Sequence, residues 1–474
     1  MGMGPPMRGL LQVFTRHAST RLRPQTTRPC LSLGRSSSRY LSSQGQGKAG
    51  LINNIKVLDL SRVIAGPFCA QILADYGATV IKVEQPQKGD DLRHYKPPVE
   101  KDNWDPKLGP MSNFFAACNR NKRSICLDLK SPKAHEILFE LAKDADVIIE
   151  NFVPGKIDEL GLGYDKLKQV NPRIIYASIS GIAISFTSLA LVPQVTKRSC
   201  IGYGSKGPWA KRAGYDMIVG AEAGLMHITG PRGGPPTKPG VSIIDLCTGL
   251  YLHGAILGAL LARQETGLGQ RVTVSLFESM VSLLINVGMD WVNSGQEAQR
   301  WGTAHPSVVP YDAWKTKDSH VVTGASTERQ WRRLCDILGR PDLVDDERFE
   351  NNSARVKNRE VITPILRECF ESRTTDEWLE RFEGSGMPYG AINNMERVFK
   401  HPQIEAGEML QPVEYEGLKS GVLKLLGPPV KFSEAATPVK LRPPLLGEHT
   451  SEVLREIGLS DAAIEDLQKT GVTQ

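Results

Sequence analysis

Residues 55–86 read IKVLDLSRVIAGPFCAQILADYGATVIKVEQP, and this stretch decides the fold. The opening run, IKVLDL, is continuously apolar and short, which reads as a strand buried on both faces. The loop Ser61-Arg62-Val63-Ile64-Ala65-Gly66-Pro67 follows, and Pro67 opens a helix, PFCAQILADYG, as a first-turn proline should. A second strand, TVIKVEQP, completes a strand–helix–strand unit.

The alternation recurs. SICLDL (124–129) precedes the helical stretch SPKAHEILFELAKDA (131–145), and DVIIENF (146–152) follows it. A helix around KIDELGLGYDKLKQV (156–170) leads to the strand RIIYASIS (173–180), and RVTVSLF (271–277) reads as a further strand. Parallel strands joined by helices predict an α/β fold with a doubly wound, Rossmann-like large domain. From about residue 285 the composition turns polar and mixed, with Trp291, Trp301, Trp314 and Trp331, which predicts a smaller α+β domain. The expected division is residues 50–240 for the first part of the large domain, 241–272 for a core helix and linker, 273–385 for the small domain, and 386–474 for a return to the large domain.

Composition narrows the function classes. Of 474 residues, 40% are hydrophobic and 23% charged, which is ordinary for a globular chain with a large core. The formal charge of +6 is concentrated in residues 1–50, which hold seven Arg, one Lys and no Asp or Glu, so the remainder carries −2. No nucleic-acid surface is expected from such a body. Residues 1–48, rich in Arg and Ser with Leu10, Leu11, Val13 and Phe14 able to line one helical face, have the composition of a mitochondrial transit peptide; a disordered basic tail is the other reading. The expected location is the mitochondrial matrix. The most apolar segment, SIIDLCTGLYLHGAILGALLA (242–262), contains Asp245 and His253 and reads as a core helix, not a membrane span. Eight cysteines occur without a CxxC pair, and no HExxH or GxSxG is present, so neither a metal centre nor a serine nucleophile is expected.

The first strand–helix turn is where a doubly wound sheet binds nucleotides. Here it has one glycine, so the GxGxxG fingerprint of NAD and FAD sites is absent. A nucleotide-containing ligand of another kind and a purely structural turn both remain. The basic run NRNKRS (119–124) reads as a solvated loop or as a phosphate anchor. Asp245 ends an apolar, strand-like run before a long apolar helix. Two readings stand: a helix cap, or a carboxylate held at a helix N-terminus and available as a nucleophile. Asp216, in AGYDMIVGAEAG, is a second candidate with the same two readings. His227 and His253 sit in apolar, helical surroundings and read as packing residues.

Several of these segments together resemble the class III, formyl-CoA transferase-like family of CoA-transferases. They are VLDLSRVIAGPFCAQILADYGATVIKVEQP, NRNKRSICLDLK, ADVIIENFVPG, GYGSKGP, GYD, DLCTG, TGLGQRVTVSLFES and LLGEHTSEVL, in family order from about Ile55 to the C-terminus. The resemblance implies that Asp245, in the D-x-x-T-G motif, is the nucleophile. It places coenzyme A against Arg62, Val63, Ile64 and Ala65, and against Gln85, Leu127, Lys130, Asn151, Phe152, Tyr215 and Asp216. Gln85 and Glu159 stand where the family often has basic residues. The resemblance further implies a coenzyme A thioester as substrate with no permanently bound cofactor, a carboxylic acid acceptor, and an interlocked homodimer. A donor such as succinyl-CoA and an acceptor such as glutarate fit its dicarboxylate branch. The related α-methylacyl-CoA racemases use a His directly before the Asp of the GxD motif; here that residue is Tyr215, a poor base near neutral pH, which favours transfer. One segment departs from the pattern. IAISFTSLALVPQVTKRSCIG (182–202) reads as an insertion, as from an alternative transcript, and leaves open a non-catalytic acyl-CoA-binding protein.

Overall fold

The computed structural model describes residues 50–474 except 101, 154, 181–202, 205–207, 210, 211 and 213. The expected transit peptide and the 182–202 segment therefore lie outside the described residues.

Six parallel strands form the central sheet: β1 (Lys56–Asp59), β2 (Thr79–Glu84), β3 (Lys122–Cys126), β4 (Val147–Glu150), β5 (Ile175–Ser180) and β6 (Arg271–Ser275). Their order is β3-β2-β1-β4-β5-β6, so the winding reverses between β1 and β4. This is the doubly wound sheet expected from the sequence. Successive side chains of a strand point to opposite faces, and here both faces are covered. Val57, Val147, Ile149, Ile175 and Ala177 pack with Ala70 and Leu73 of the helix Ala65–Asp75 and with Leu252 and Ile256 of the helix Ile243–Thr266. Leu58, Ile148 and Tyr176 face the other way, toward Leu138 and Leu141 of the helix Pro132–Lys143. The continuous apolar runs of these strands follow directly from that double cover.

Some local expectations shift. The first helix begins at Ala65, two residues before Pro67, which still lies in the first turn where its missing N–H costs nothing. The stretch 156–170 forms two helices, Lys156–Glu159 and Tyr164–Val170, because Gly161 takes a left-handed φ of +72° between them. The last expected strand stops at Ser275, whose hydroxyl accepts from the Glu278 amide and starts the helix Leu276–Leu283.

A second core lies around the antiparallel sheet of β7 (Tyr311–Lys315), β8 (His320–Gly324) and β9 (Tyr389–Ala391). Trp314, Trp331, Phe370, Trp378 and Phe382 fill it. Capping boxes at Thr327/Gln330 and Thr374/Glu377 fix where two of its helices begin.

β3 is an edge strand, and the C-terminal segment finishes it. The amide of Ser124 donates to His449 Nδ1, and that of Cys126 donates to Thr450 Oγ1. The carbonyls of Ser124 and Cys126 accept from the His449 amide and the Thr473 hydroxyl. Groups that an edge strand would leave open are thereby paired.

Candidate active site

The turn after β1 and the residue after β4 meet at the point where the sheet reverses, which is where open α/β sheets bind ligands. Asn151 spends both ends of its amide on the backbone of Arg62: Oδ1 accepts from the Arg62 N–H at 3.0 Å, and Nδ2 donates to the Arg62 carbonyl at 2.7 Å. Val63 is next, with a left-handed φ of +68°. A β-branched residue rarely adopts that conformation. Its amide donates to both carboxylate oxygens of Asp90, at 3.1 and 3.2 Å. Ile64 and Ala65 are buried and begin the helix. Among the described residues, no acceptor takes the amides of Ile64, Ala65 and Gly66. They are the unsatisfied donors of a helix N-terminus and suit an electron-rich ligand group.

Beneath the turn runs a buried ionic chain. Lys82 Nζ lies 3.0 Å from Asp90 and donates to the Ser61 carbonyl at 2.9 Å. Lys122 Nζ donates to Asp59, Asn119 and the Pro67 carbonyl, each at 2.8 Å. Burial alone would raise the Asp59 carboxyl, but Lys122 and Lys82 outweigh it and hold that group below the usual carboxylate range. Glu84 pairs with Arg93 at 2.7 Å; burial opposes its charge, yet Arg93 and Lys82 hold its carboxyl down at about 2. The run NRNKRS is therefore not a solvated loop: Lys122 is fully buried, and Arg120 is paired with Asp75. These charges build the floor of the turn.

Asp245 sits in the first turn of the helix Ile243–Thr266, not at the end of a strand. Nor is it the cap. The capping oxygen comes from Asp216, on the separate helix Asp216–Glu222, whose Oδ1 accepts from the amides of Ile244 at 2.8 Å and Asp245 at 3.2 Å. Asp216 thus occupies the positive end of the helix that would otherwise steady the Asp245 charge. Asp245 is buried, and among the described residues no donor meets its carboxyl group. Burial first, and the Asp216 charge second, push the Asp245 carboxyl up to about 8.

The turn and the Asp245 helix are close neighbours. A Cβ on Gly249, one helical turn beyond Asp245, would lie 2.7 Å from the Ala65 carbonyl, so the approach of the two helices requires glycine there. Leu246 packs in the same apolar cluster as Ile64, Val63 and Phe68.

The remaining sequence candidates are placed differently. Gln85 and Lys130 are exposed, and the Lys130 amide donates to Asp128. Leu127 is buried in the core beneath the sheet, and Phe152 packs partly against that core. Tyr215 precedes the Asp216 helix and is half-buried. His227, expected in the core, is exposed and bonded to Glu297 at 3.0 Å. His253 is partly buried edge-on against Tyr76. Sequence reasoning missed Asp90 and Lys82. One signal was present: TVIKVE places charges at alternate positions of a strand that is otherwise apolar, and a buried charge needs a partner.

The family model for CoA-transferase family III matches residues 52–183 and 187–450, so its second match runs through most of the 182–202 segment. An acyl-CoA transferase from Fusarium pseudograminearum is 48% identical over 95% of this chain and 94% of its own length. Human succinyl-CoA:glutarate CoA-transferase is 41% identical over 94% of this chain and 96% of its own length. The crystal structure of a CAIB/BAIF family protein from Brucella suis superposes with a TM-score of 0.74 at 36% identity, covering 86% of this chain and all of that one. A family match along most of its length, relatives covered over more than nine-tenths of their length and a shared fold lead to one conclusion: this chain belongs to CoA-transferase family III and is a CoA-transferase.

Proposed function

We propose that the chain moves coenzyme A from a dicarboxyl-CoA such as succinyl-CoA to a dicarboxylic acid such as glutarate, with Asp245 as covalent nucleophile. The observation that carries this reading is the Asp245 carboxyl, buried one helical turn from the contact with the amide-bearing turn. The human relative, a succinyl-CoA:glutarate CoA-transferase, suggests the substrate pair.

The chemistry suits a carboxylate. The ionised Asp245 attacks the thioester carbonyl; the C–S bond breaks, giving a mixed anhydride and the CoA thiolate. The thiolate attacks the aspartyl carbonyl, which releases the first acid and leaves an aspartyl–CoA thioester. The acceptor carboxylate attacks that thioester, forming a second anhydride and freeing the thiolate again. The thiolate then attacks the acceptor's acyl carbon, and Asp245 leaves as carboxylate. Each step exchanges one activated acyl for another, so the thioester's energy is kept, whereas a serine ester would dissipate it. Burial protects the anhydrides from water. A racemase would need a base where Tyr215 stands, and a phenol is poorly ionised near neutral pH.

Incubation with succinyl-CoA and a panel of dicarboxylates tests the reading. Glutaryl-CoA should form while total thioester stays constant, and hydroxylamine added during turnover should leave a hydroxamate on Asp245. An adduct on another residue, or loss of thioester without a new acyl-CoA, overturns it; binding without turnover indicates a non-catalytic protein.

The active form is proposed to be a homodimer. The helix Ile285–Ser294 has no buried residue, yet Ile285, Met289, Trp291 and Val292 are all apolar and exposed, and Leu250, Tyr251 and Leu261 are exposed on the Asp245 helix. Such a surface is expected to be covered. Sedimentation at micromolar concentration should give twice the chain mass, and a monomer would refute the assignment. A mitochondrial matrix location is proposed from the acid-free, Arg-rich residues 1–48, and import of a fusion carrying that segment into isolated mitochondria checks it.

A further inference from the structure

We propose that Asp90 is a positioning residue: its buried carboxylate, anchored by Lys82, holds Val63 in the left-handed conformation that sets the Arg62–Ala65 turn to receive the thioester substrate. The proposal rests on the reading above that this turn meets coenzyme A.

Val63 is the starting point. Its φ of +68° places a β-branched side chain where L-residues crowd their own backbone, and such a conformation persists only when its surroundings impose it. The surroundings here do so from two sides. Asn151 fixes both polar groups of the preceding residue, Arg62. Asp90 takes the Val63 amide with both oxygens and uses Oδ1 again for the Leu92 amide at 3.0 Å. Asp90 is itself immobilised: Lys82 lies 3.0 Å from Oδ2, and the Asp90 amide donates to Glu84 Oε2 at 2.9 Å. Lys82 also holds the other end of the turn through the Ser61 carbonyl. One fully buried ammonium therefore holds Ser61 directly and Val63 through Asp90, on either side of Arg62. With Ser61, Arg62 and Val63 so engaged, contacts within the chain itself fix the direction in which the amides of Ile64, Ala65 and Gly66 point. That is preorganisation, which strengthens binding by removing an ordering cost.

A double-mutant cycle separates this role from a general contribution to the fold. An asparagine at position 90 has one oxygen, so the Val63 amide keeps one of its two acceptors and the negative charge that anchors Lys82 is lost. Glycine at position 63 adopts the left-handed conformation without crowding and should need no clamp. We expect Asp90→Asn to raise KM for succinyl-CoA roughly tenfold, to leave KM for the acid acceptor unmoved, and to speed hydrogen exchange at the Val63 amide. Adding Val63→Gly should cancel the effect, bringing KM for succinyl-CoA to within about threefold of the Val63→Gly single variant. Simple multiplication of the two single effects overturns the proposal, because an ion pair needed only for folding is not rescued by relaxing residue 63. If exchange at residue 63 responds but KM for succinyl-CoA is flat across the cycle, the clamp stands while the coenzyme A assignment of the turn fails, and the positioning role falls with it. Should Asp90→Asn not fold, Asp90→Glu, which keeps a charge beside Lys82 and displaces its oxygens, enters the same cycle.

Discussion

Replacing Asp245 with asparagine should abolish CoA transfer and, in the same variant, stabilise the protein at neutral and alkaline pH. Loss of the proposed covalent nucleophile should lower kcat by at least about 10⁴-fold. The stability gain follows from the pKa. An aspartyl group near 3.8 in the unfolded chain is pushed up to about 8 in the fold. Between those values the native state holds a proton that the unfolded state has released, so stability falls as pH rises across the window and levels off above it. Asparagine removes the titration. The variant should match the parent near pH 4 and exceed it by about 2–4 kcal/mol at pH 8, as urea midpoints at the two pH values would show. A carboxyl with no catalytic duty has no reason to be kept in so costly a place. Equal urea midpoints at pH 8 would remove that argument.

The Asp216→Asn variant moves the pH dependence rather than abolishing activity. For the free enzyme, kcat/KM should rise with pH through an apparent value near 8 as the pair that includes Asp245 ionises. Asp216 contributes to that value by its charge and to the local structure by its capping oxygen. Asparagine keeps the oxygen and drops the charge. The acid limb of kcat/KM should therefore shift down by about one pH unit, with the helix start intact. At pH 6.5 the variant would then outperform the parent. An unshifted limb shows that Asp216 only caps, and a limb moved upward contradicts the electrostatic account.

The sheet was legible because its strands are buried on both sides, and that condition writes continuous apolar runs into a sequence; the six expected strands all form. The helix that follows Ser242 was harder to delimit. Val241 to Ile244, apolar apart from Ser242, fits strand and helix equally, and the oxygen that caps the helix ahead of Asp245 comes from Asp216, 28 residues before Ile244. The charged run at 119–124 shows the opposite limit. Nothing in NRNKRS distinguishes Lys122, enclosed by Asp59 and Asn119, from a lysine in water. The left-handed Val63 is the least readable of all, because its conformation is set by Asp90 and Asn151, and residue type alone argues against it. Positions set by a strand's own pattern can be read; positions set by a distant partner cannot.

The finishing of β3 has a consequence for biosynthesis. The Cys126 carbonyl waits for the Thr473 hydroxyl, 347 residues further along the chain. At roughly 5–20 residues per second, a nascent chain would emerge with one sheet margin bare for tens of seconds. During that interval the margin is a ready template for another strand, and chaperone demand on this protein should persist until residues 449–473 have emerged.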